Sequence, residues 1–550
     1  MIDNRVGMRV MDSLFATVTA LLVSLAIIPV MIRLAPSLRL LDQPSARKIH
    51  LSPIPRVGGW GITLGALCSV LLWLPLGTTS LAFVTGALIL LVAGAIDDSR
   101  DLPARAKLVL QIMAALPAVL HAGLSIETLP LFGLDLPLPT PLAMLLTVVG
   151  LVACINATNT SDGLDGLAAG ETLLSLAGIL YLAAVTGSAE QLLITAAAVG
   201  GLAGFLRYNT HPAAIFMGDS GSQFLGFVVG FLGLALVQPE YAGLTPWTLL
   251  LLIGLPAADL VVVAARRWLA GVSCFQADRT HIHHRLLALG FPHQESVVVI
   301  YALQASLVFF AIALHTSEGW KILLVYGLHM ALIYGFLTLA EGSFRERHRL
   351  GRDRYSRRRA GPLLVWVPRV ALEIMIPLVL IMFAALATEV PTDVGLLAAV
   401  LVLPLVFWLF SHKAPPTFIA RLPVFMIAAA VLYLYTDHRP FISAVSRITE
   451  FGGMAAVAAV TALTLRYSPK RRRREFHTTA MDYLLVMVTL IAFFALQGLP
   501  LFVNVAFLIY LPIVLYGCEI ITVERRERWN WLPMATLSAA LILAVRGLTP

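Results

Sequence analysis

The chain has 550 residues, 59% of them hydrophobic and only 13% charged, with a mean hydropathy of +0.86. That balance excludes a soluble globular protein of this size and makes lipid the main solvent. The formal net charge of +8 raises nucleic acid as a partner, but no aromatic-basic interleaving accompanies it, so no nucleic-acid partner is expected.

Apolar stretches recur from Leu14 to Leu541, most of them long enough to cross about 30 Å of hydrocarbon as helices. The alternating ten-residue segments of a membrane barrel are absent. The predicted fold is an all-α polytopic membrane protein with about eighteen transmembrane helices. They fall at 11–32, 59–77, 79–96, 106–122, 139–156, 167–186, 189–206, 221–239, 246–265, 295–314, 320–340, 366–388, 393–411, 420–436, 450–465, 480–498, 500–518 and 530–546. Arg5 and Arg9 precede the first run, which continues through Ile32 without a small-residue cleavage site, so a retained helix is expected and not a signal peptide. Cys68, Cys154, Cys274 and Cys518 show no paired spacing and read as packing residues.

With the N-terminus outside, the odd-numbered connections collect the basic residues. They hold Arg33, Arg39, Arg47, Lys48 and Arg56, then Arg100 and Arg105, then Arg266, Arg267, Arg279 and Arg285. The runs Arg345–Arg359, Arg466–Arg474 and Arg525–Arg528 keep the parity, with Arg439 and Arg447 as the exception. These connections are therefore expected in the cytoplasm, where anionic lipids are partners for them. The Arg345–Arg359 run also divides the chain. Residues 1–340 hold every dense polar motif, 341–360 form a basic cytoplasmic linker, and 361–550 read as an additional transmembrane module of unassigned role. No internal repeat is visible, which argues against an inverted-repeat transporter half.

Five polar clusters fall on the inward side. Asp97 and Asp98, followed by Asp101 and Lys107, end a span; adjacent carboxylates there need a cation or an unpaired donor, or else merely cap a loop. Asn156, Asn159 and Asp162 share one helix face at successive spacings of three, and Gly163 and Gly166 let Asp162 and Asp165 converge on one ligand. Gly218-Asp219-Ser220-Gly221-Ser222, preceded by Arg207 and Asn209, offers a hard oxygen ligand, while its serines double as helix caps. Asp278, Arg279, His281, His283, His284 and Arg285 suit a diphosphate; zinc competes but lacks paired cysteines. Arg47, Lys48 and His50, with Asp42 and Arg56 nearby, meet an anionic head group or simply set topology. Walker A loops, nucleophile elbows and dinucleotide fingerprints are missing. Acidic and basic groups on one face suit metal-assisted phosphoryl transfer.

These residues resemble the polyprenyl-phosphate N-acetylhexosamine-1-phosphate transferase family, bacterial enzymes that start assembly of lipid-linked cell-envelope glycans, and most of all its undecaprenyl-phosphate GlcNAc-1-phosphate branch. The resemblance covers about residues 10–340 and rests on Asp97-Asp98, on Asn156 to Leu167, on Gly218 to Ser222, and on His281-Ile282-His283-His284-Arg285. It implies transfer of a sugar 1-phosphate from a UDP-N-acetylhexosamine to undecaprenyl or another polyprenyl phosphate, with release of UMP, at the bacterial inner membrane. It implies magnesium, with manganese as the alternative, held by Asp219 and Asp162. Asp97, Asp98, Asp162 and Asp165 become the expected catalytic carboxylates. Asn156, Asn159, His281, His283, His284 and Arg285 are expected on the donor, and Arg47, Lys48, His50 and Lys107 on the acceptor or phosphate. A homodimer stays open, as do a UDP-MurNAc-pentapeptide donor and, from another class, a transporter or flippase of anionic lipid-linked substrates. The tail after residue 360 departs from the family pattern.

Overall fold

The structure is a computed structural model. It describes residues 2–43, 52–132, 134–238, 244–269, 271, 280–349, 362–387, 390–410, 418–437 and 531–548, with scattered positions between 453 and 521. Contacts divide the chain into two compact units: Met1–Asp353 with Thr479–Ile491, and Arg354–Thr478 with Ala492–Pro550.

The first unit is helical. Its helices are α1 (Ile2–Leu34), α2 (Gly58–Trp73), α3 (Thr78–Arg100), α4 (Ala104–Leu120), α5 (Thr140–Ser161), α6 (Leu167–Val185), α7 (Ala189–Asn209), α8 (Asp219–Leu236), α9 (Trp247–Leu252), α10 (Gly254–Leu269), α11 (Ile282–Ala288), α12 (His293–Ala313) and α13 (Gly319–Arg349). Two antiparallel ribbons interrupt them: β1 (Leu41–Asp42) pairs with β2 (Ile54–Pro55), and β3 (Thr128–Leu131) with β4 (Leu134–Pro137).

At the centre stands α8, buried along its length apart from Asp219 at its mouth. It packs against α3, α5, α6 and α2. Phe83 of α3 meets Phe231 of α8 edge-on at 5.4 Å and Phe227 at 5.9 Å, aromatic contacts that add to the burial itself. Near the mouth, α3 and α8 come too close for any side chain: a Cβ on Gly94 would lie 2.2 Å from Ser220 Cα.

The expected number of membrane crossings is corrected. Among the described residues, nine helices are long and apolar enough to span a membrane, not about eighteen. Hydropathy marks apolar helices, but chain stops decide whether they cross. The expected span 59–77 ends at Trp73, because Leu74 is extended (φ −117°, ψ 128°) ahead of Pro75, as a residue before proline prefers. The expected span 246–265 is two helices, parted at Ile253. Gln304 of α12 serves this break, accepting the Leu255 N–H at 3.3 Å and donating to Leu252 O at 2.6 Å; Ser175 also donates to Leu252 O at 2.6 Å. Backbone freed inside a membrane protein needs such partners. The segment 106–122 is the 17-residue α4, with Arg105 and Lys107 in its first turn. The expected spans 450–465, 480–498 and 500–518 lie largely outside the described residues.

The second unit contains α14 (Pro362–Leu386), α15 (Thr392–Phe410), α16 (Phe418–Asp437) and a last helix, Trp531–Leu548. Leu372, Ile376, Leu380 and Phe383 form the buried stripe of α14 at helical spacing. Phe383 stacks on Tyr435 of α16 at 3.5 Å, and α15 crosses the last helix where Gly395 faces Gly547.

Candidate active site

Four helix ends of the first unit build the site. α3 delivers Asp97 and Asp98 in its last turn, α4 delivers Lys107 in its first, α5 carries Asn159 in its last turn with Asp162 as its cap residue, and α8 begins with Asp219. The chain reverses between α3 and α4 through Asp101 in the left-handed region (φ 49°) and then Pro103, which opens α4.

Asp98 caps α8 from another helix. Its Oδ1 accepts the Asp219 N–H at 2.8 Å, and its Oδ2 accepts the Ser220 N–H at 3.2 Å and the Ser220 hydroxyl at 3.1 Å. Amides at a helix start have no partner within the helix, and the dipole there favours an anion. The left-handed Gly218 (φ 74°) makes room, since a Cβ would sit 2.6 Å from Asp98 Oδ2.

Asp97 is almost fully buried; its Oδ1 accepts the Leu102 N–H at 2.8 Å, and its Oδ2 lies 2.6 Å from Lys107 Nζ. The same ammonium is 3.4 Å from Asp219 Oδ2. Asn159 Nδ2 donates to Asp219 Oδ1 at 2.5 Å and to Ser222 Oγ at 2.8 Å. One turn deeper in the same three helices, Asn156 Nδ2 donates to Gln111 Oε1 at 2.7 Å, and Gln111 Nε2 reaches Gln223 Oε1 at 3.3 Å. Asn156 thus joins α4, α5 and α8 through amides.

Asp162 is half-buried. Burial, then the charges of Asp219, Asp98 and Asp165, push its carboxyl up to about 7. Asp165 goes the other way: burial would raise it, but His211, His293 and the Ala213 N–H hold it below the ordinary value. His211 Nδ1 lies 2.6 Å from Asp165 Oδ2, the His211 and His293 rings stack at 4.3 Å, and His293 Nε2 is 4.0 Å from the same oxygen. Asp165, His211 and His293 are close enough to hold a divalent metal together. Asn209 staples the two loops around them, accepting the Gly166 N–H and donating to Ile215 O, both at 2.8 Å.

The loop that carries β2 docks beside α8. Phe216 N–H donates to Pro55 O at 2.8 Å, and the N–H groups of Gly58 and Gly59 donate to Phe216 O and Met217 O at 3.0 and 2.9 Å. Arg56, paired with Asp42, is thereby carried to the site.

The histidine segment is anchored from behind by Asp259 of α10. Asp259 Oδ2 lies 2.7 Å from His281 Nδ1, and its Oδ1 accepts the Ile282 N–H at 3.1 Å. His283 runs parallel to His281 at 5.9 Å and presses on Gly163, where a Cβ would fall 2.3 Å from its Nε2. Burial first, then the neighbouring His284, His281 and His293, pushes the His283 ring down to about 3, so it is neutral at physiological pH. Arg285 turns away and donates through Nε to Glu341 Oε1 at 2.6 Å.

Asp98, Asn159, Asp162, Asp165, Asp219 and His284 of the expected residues line one cavity of about 750 Å³, together with Arg56, His211 and His293. That is ample for a nucleotide-sized ligand. Asp97 and Lys107 stand behind Asp219, while Asn156, His281 and Arg285 are bonded among the helices, His283 packs on Gly163, and none of these is part of the lining. Arg47, Lys48, His50, Asp278 and Arg279 lie outside the described residues. Reading the sequence missed His211, His293, Asp259 and Glu341. Asp259 had a signal, being an ionisable group inside an apolar span.

The glycosyl transferase family 4 pattern matches residues 80–237, the stretch from α3 through α8. The chain is 35% identical over 320 residues to a probable undecaprenyl-phosphate N-acetylglucosaminyl 1-phosphate transferase of Bacillus subtilis (strain 168), covering 58% of this chain and 89% of that protein. It is 34% identical over 298 residues to a decaprenyl-phosphate N-acetylglucosaminephosphotransferase of Mycobacterium leprae (strain TN), covering 49% and 75%. It is 30% identical over 315 residues to the undecaprenyl-phosphate alpha-N-acetylglucosaminyl 1-phosphate transferase of Escherichia coli (strain K12), covering 55% and 85%. The molecule is a helical membrane transferase. It belongs to the polyprenyl-phosphate N-acetylhexosamine-1-phosphate transferase family and carries additional C-terminal helices beyond the aligned region.

Proposed function

We propose that the protein transfers N-acetylglucosamine 1-phosphate from its UDP-sugar to undecaprenyl or a similar polyprenyl phosphate, releasing UMP at the cytoplasmic face of a bacterial inner membrane. The observation that carries this reading is the cavity at the mouth of α8, in whose lining Asp98, Asp162, Asp165 and Asp219, all inside the matched stretch, come together. Relatives whose names specify N-acetylglucosamine support the choice of sugar.

An oxygen of the acceptor phosphate attacks the sugar-bearing phosphorus of the donor. A new phosphorus–oxygen bond forms as the diphosphate bridge breaks, and UMP departs with the bridging oxygen. The acceptor needs little help from a base, because a phosphate monoester is largely dianionic near neutral pH. The acidic oxygens of Asp219 and Asp162 fit a hard cation such as magnesium, their nearest fixed counter-charge being Lys107 on Asp219. Bound there, magnesium would neutralise charge on the transferring phosphate. The chain's own groups do the rest. Asn159 fixes the Asp219 carboxylate, Asp98 fixes the backbone that bears it, and His284 and Arg56 meet donor phosphate oxygens. The Asp165–His211–His293 group carries imidazoles and suits a softer ion. Residues 1–340 form the transferase module in this reading, and 361–550 an additional module joined by the 341–360 linker.

UMP release by the purified full-length protein, with UDP-N-acetylglucosamine and undecaprenyl phosphate, is expected in magnesium and is expected to stop in chelator. Turnover only with UDP-MurNAc-pentapeptide would move the protein to the other branch of the family. No turnover with either donor would reject the reading.

A further inference from the structure

We propose that Lys107 is a built-in stand-in for the divalent cation, occupying the cation's place against Asp219 when no ion is bound and ceding Asp219 Oδ2 when one arrives. The inference rests on the reading that Asp219 holds the ion. It comes from the juxtaposition of one ammonium and two carboxylates: Lys107 Nζ is 2.6 Å from Asp97 Oδ2 and 3.4 Å from Asp219 Oδ2.

The two contacts are unequal. The Asp97 side chain is 1% exposed, so its contact is short and enclosed; the Asp219 and Lys107 side chains are 27% and 34% exposed, so theirs is long and partly exposed. Asn159 already holds Asp219 Oδ1 at 2.5 Å, which leaves Oδ2 for an incoming ion. A magnesium–oxygen contact of about 2.0–2.1 Å carries twice the charge at a shorter distance, and it wins that oxygen while the ammonium keeps Asp97. Lysine suits the task, being a compact charge on a flexible stem, where the planar fork of arginine would resist displacement. In the metal-free protein the arrangement spares the fold two uncompensated carboxylates at a helix junction. On ion binding it frees an ammonium to face the phosphate arriving with the donor.

The test uses the full-length protein in detergent, with Mn2+ binding followed by electron paramagnetic resonance and thermal unfolding followed in chelator and in magnesium. Lys107→Met is expected to bind Mn2+ about threefold more tightly, the scale of a partly exposed ion pair removed from competition. It is also expected to be less stable than wild type in chelator and to gain more from magnesium. Weaker Mn2+ binding by Lys107→Met, or a magnesium response no larger than that of wild type, overturns the proposal. Should the variant fail to fold, acetylation of Lys107 in the wild type, read by mass spectrometry, is expected to run about threefold faster in magnesium than in chelator. An equal or slower rate overturns the proposal. A wild type that binds no Mn2+ refutes the metal reading itself, whereas binding without a response at Lys107 refutes the stand-in alone.

Discussion

The two units are built from the same apolar helices, but among the described residues the buried polar side chains that bond across helices gather in the first. In the first, such groups bond across helices: Ser24 donates to Gly201 O at 3.0 Å, Ser69 to Ala16 O at 2.8 Å, Gln304 to Leu252 O at 2.6 Å, and Asp98 receives three donors from α8. In the second, Thr461, Thr464 and Thr536 each donate to the carbonyl four residues back in their own helix, all at 2.7 Å. A hydroxyl returned to its own backbone satisfies itself and fixes nothing else. A cross-helix bond fixes the relative position of two helices, which phosphoryl transfer demands of the groups around the reacting phosphates.

The sharpest break of that contrast is Asp219→Ala. It is expected to cut turnover more than about 100-fold, because in the proposed reading the cation would lose a direct oxygen ligand and not an outer partner. Steady-state UMP release checks it, and retention of a tenth of the rate would show that Asp219 does not ligate the ion. Gly163→Ala comes next. Its methyl group would displace the neutral His283 ring, and a shift of that size near a reacting centre is expected to lower kcat/KM about 10-fold to 100-fold. An unchanged kcat/KM would mean that the histidine segment is not positioned through Gly163.

In the second unit, Gly395→Ala meets the Gly547 Cα at 2.7 Å and is expected to destabilise that unit by about 1–3 kcal/mol. Its specific activity is expected to stay within about twofold of wild type, as for a change confined to a separate compact unit. A large loss would give the C-terminal helices a part in the chemical step. A substitution is preferable to removing the tail here, because Thr479–Ile491 belongs to the first unit. The smallest effect is expected from Arg369→Gln, which breaks the partly exposed pair with Glu373 (3.4 Å) and should cost less than about 1 kcal/mol with no change in UMP release.

Reading residues alone reached the helices and the acidic half of the site, because both are local. Asp98, Asp162, Asp165, Asp219 and His284 announce themselves by clustering in sequence and do line one cavity. What lay beyond reach is long-range. His211 and His293 meet Asp165 from elements 46 and 128 positions away, and Glu341 meets Arg285 across 56. Conversely, Asn156 and Arg285 look like ligands in a motif, but each is drawn off by a partner on another helix, Gln111 in one case and Glu341 in the other. Hydropathy overcounted the crossings because it ignores where Pro75 and the Ile253 break interrupt a helix.

The amide cluster of Gln111, Asn156 and Gln223 has a consequence for proton movement. Each amide lies one turn inward from an acidic-layer residue on its own helix: Gln111 beyond Lys107, Asn156 before Asn159, and Gln223 after Asp219. Carboxylates and imidazoles can pass protons along a chain, whereas carboxamides donate and accept hydrogen bonds without titrating. The layer below the acidic residues is therefore polar enough to seat them, yet among these three side chains it offers a proton no titratable group to pass along.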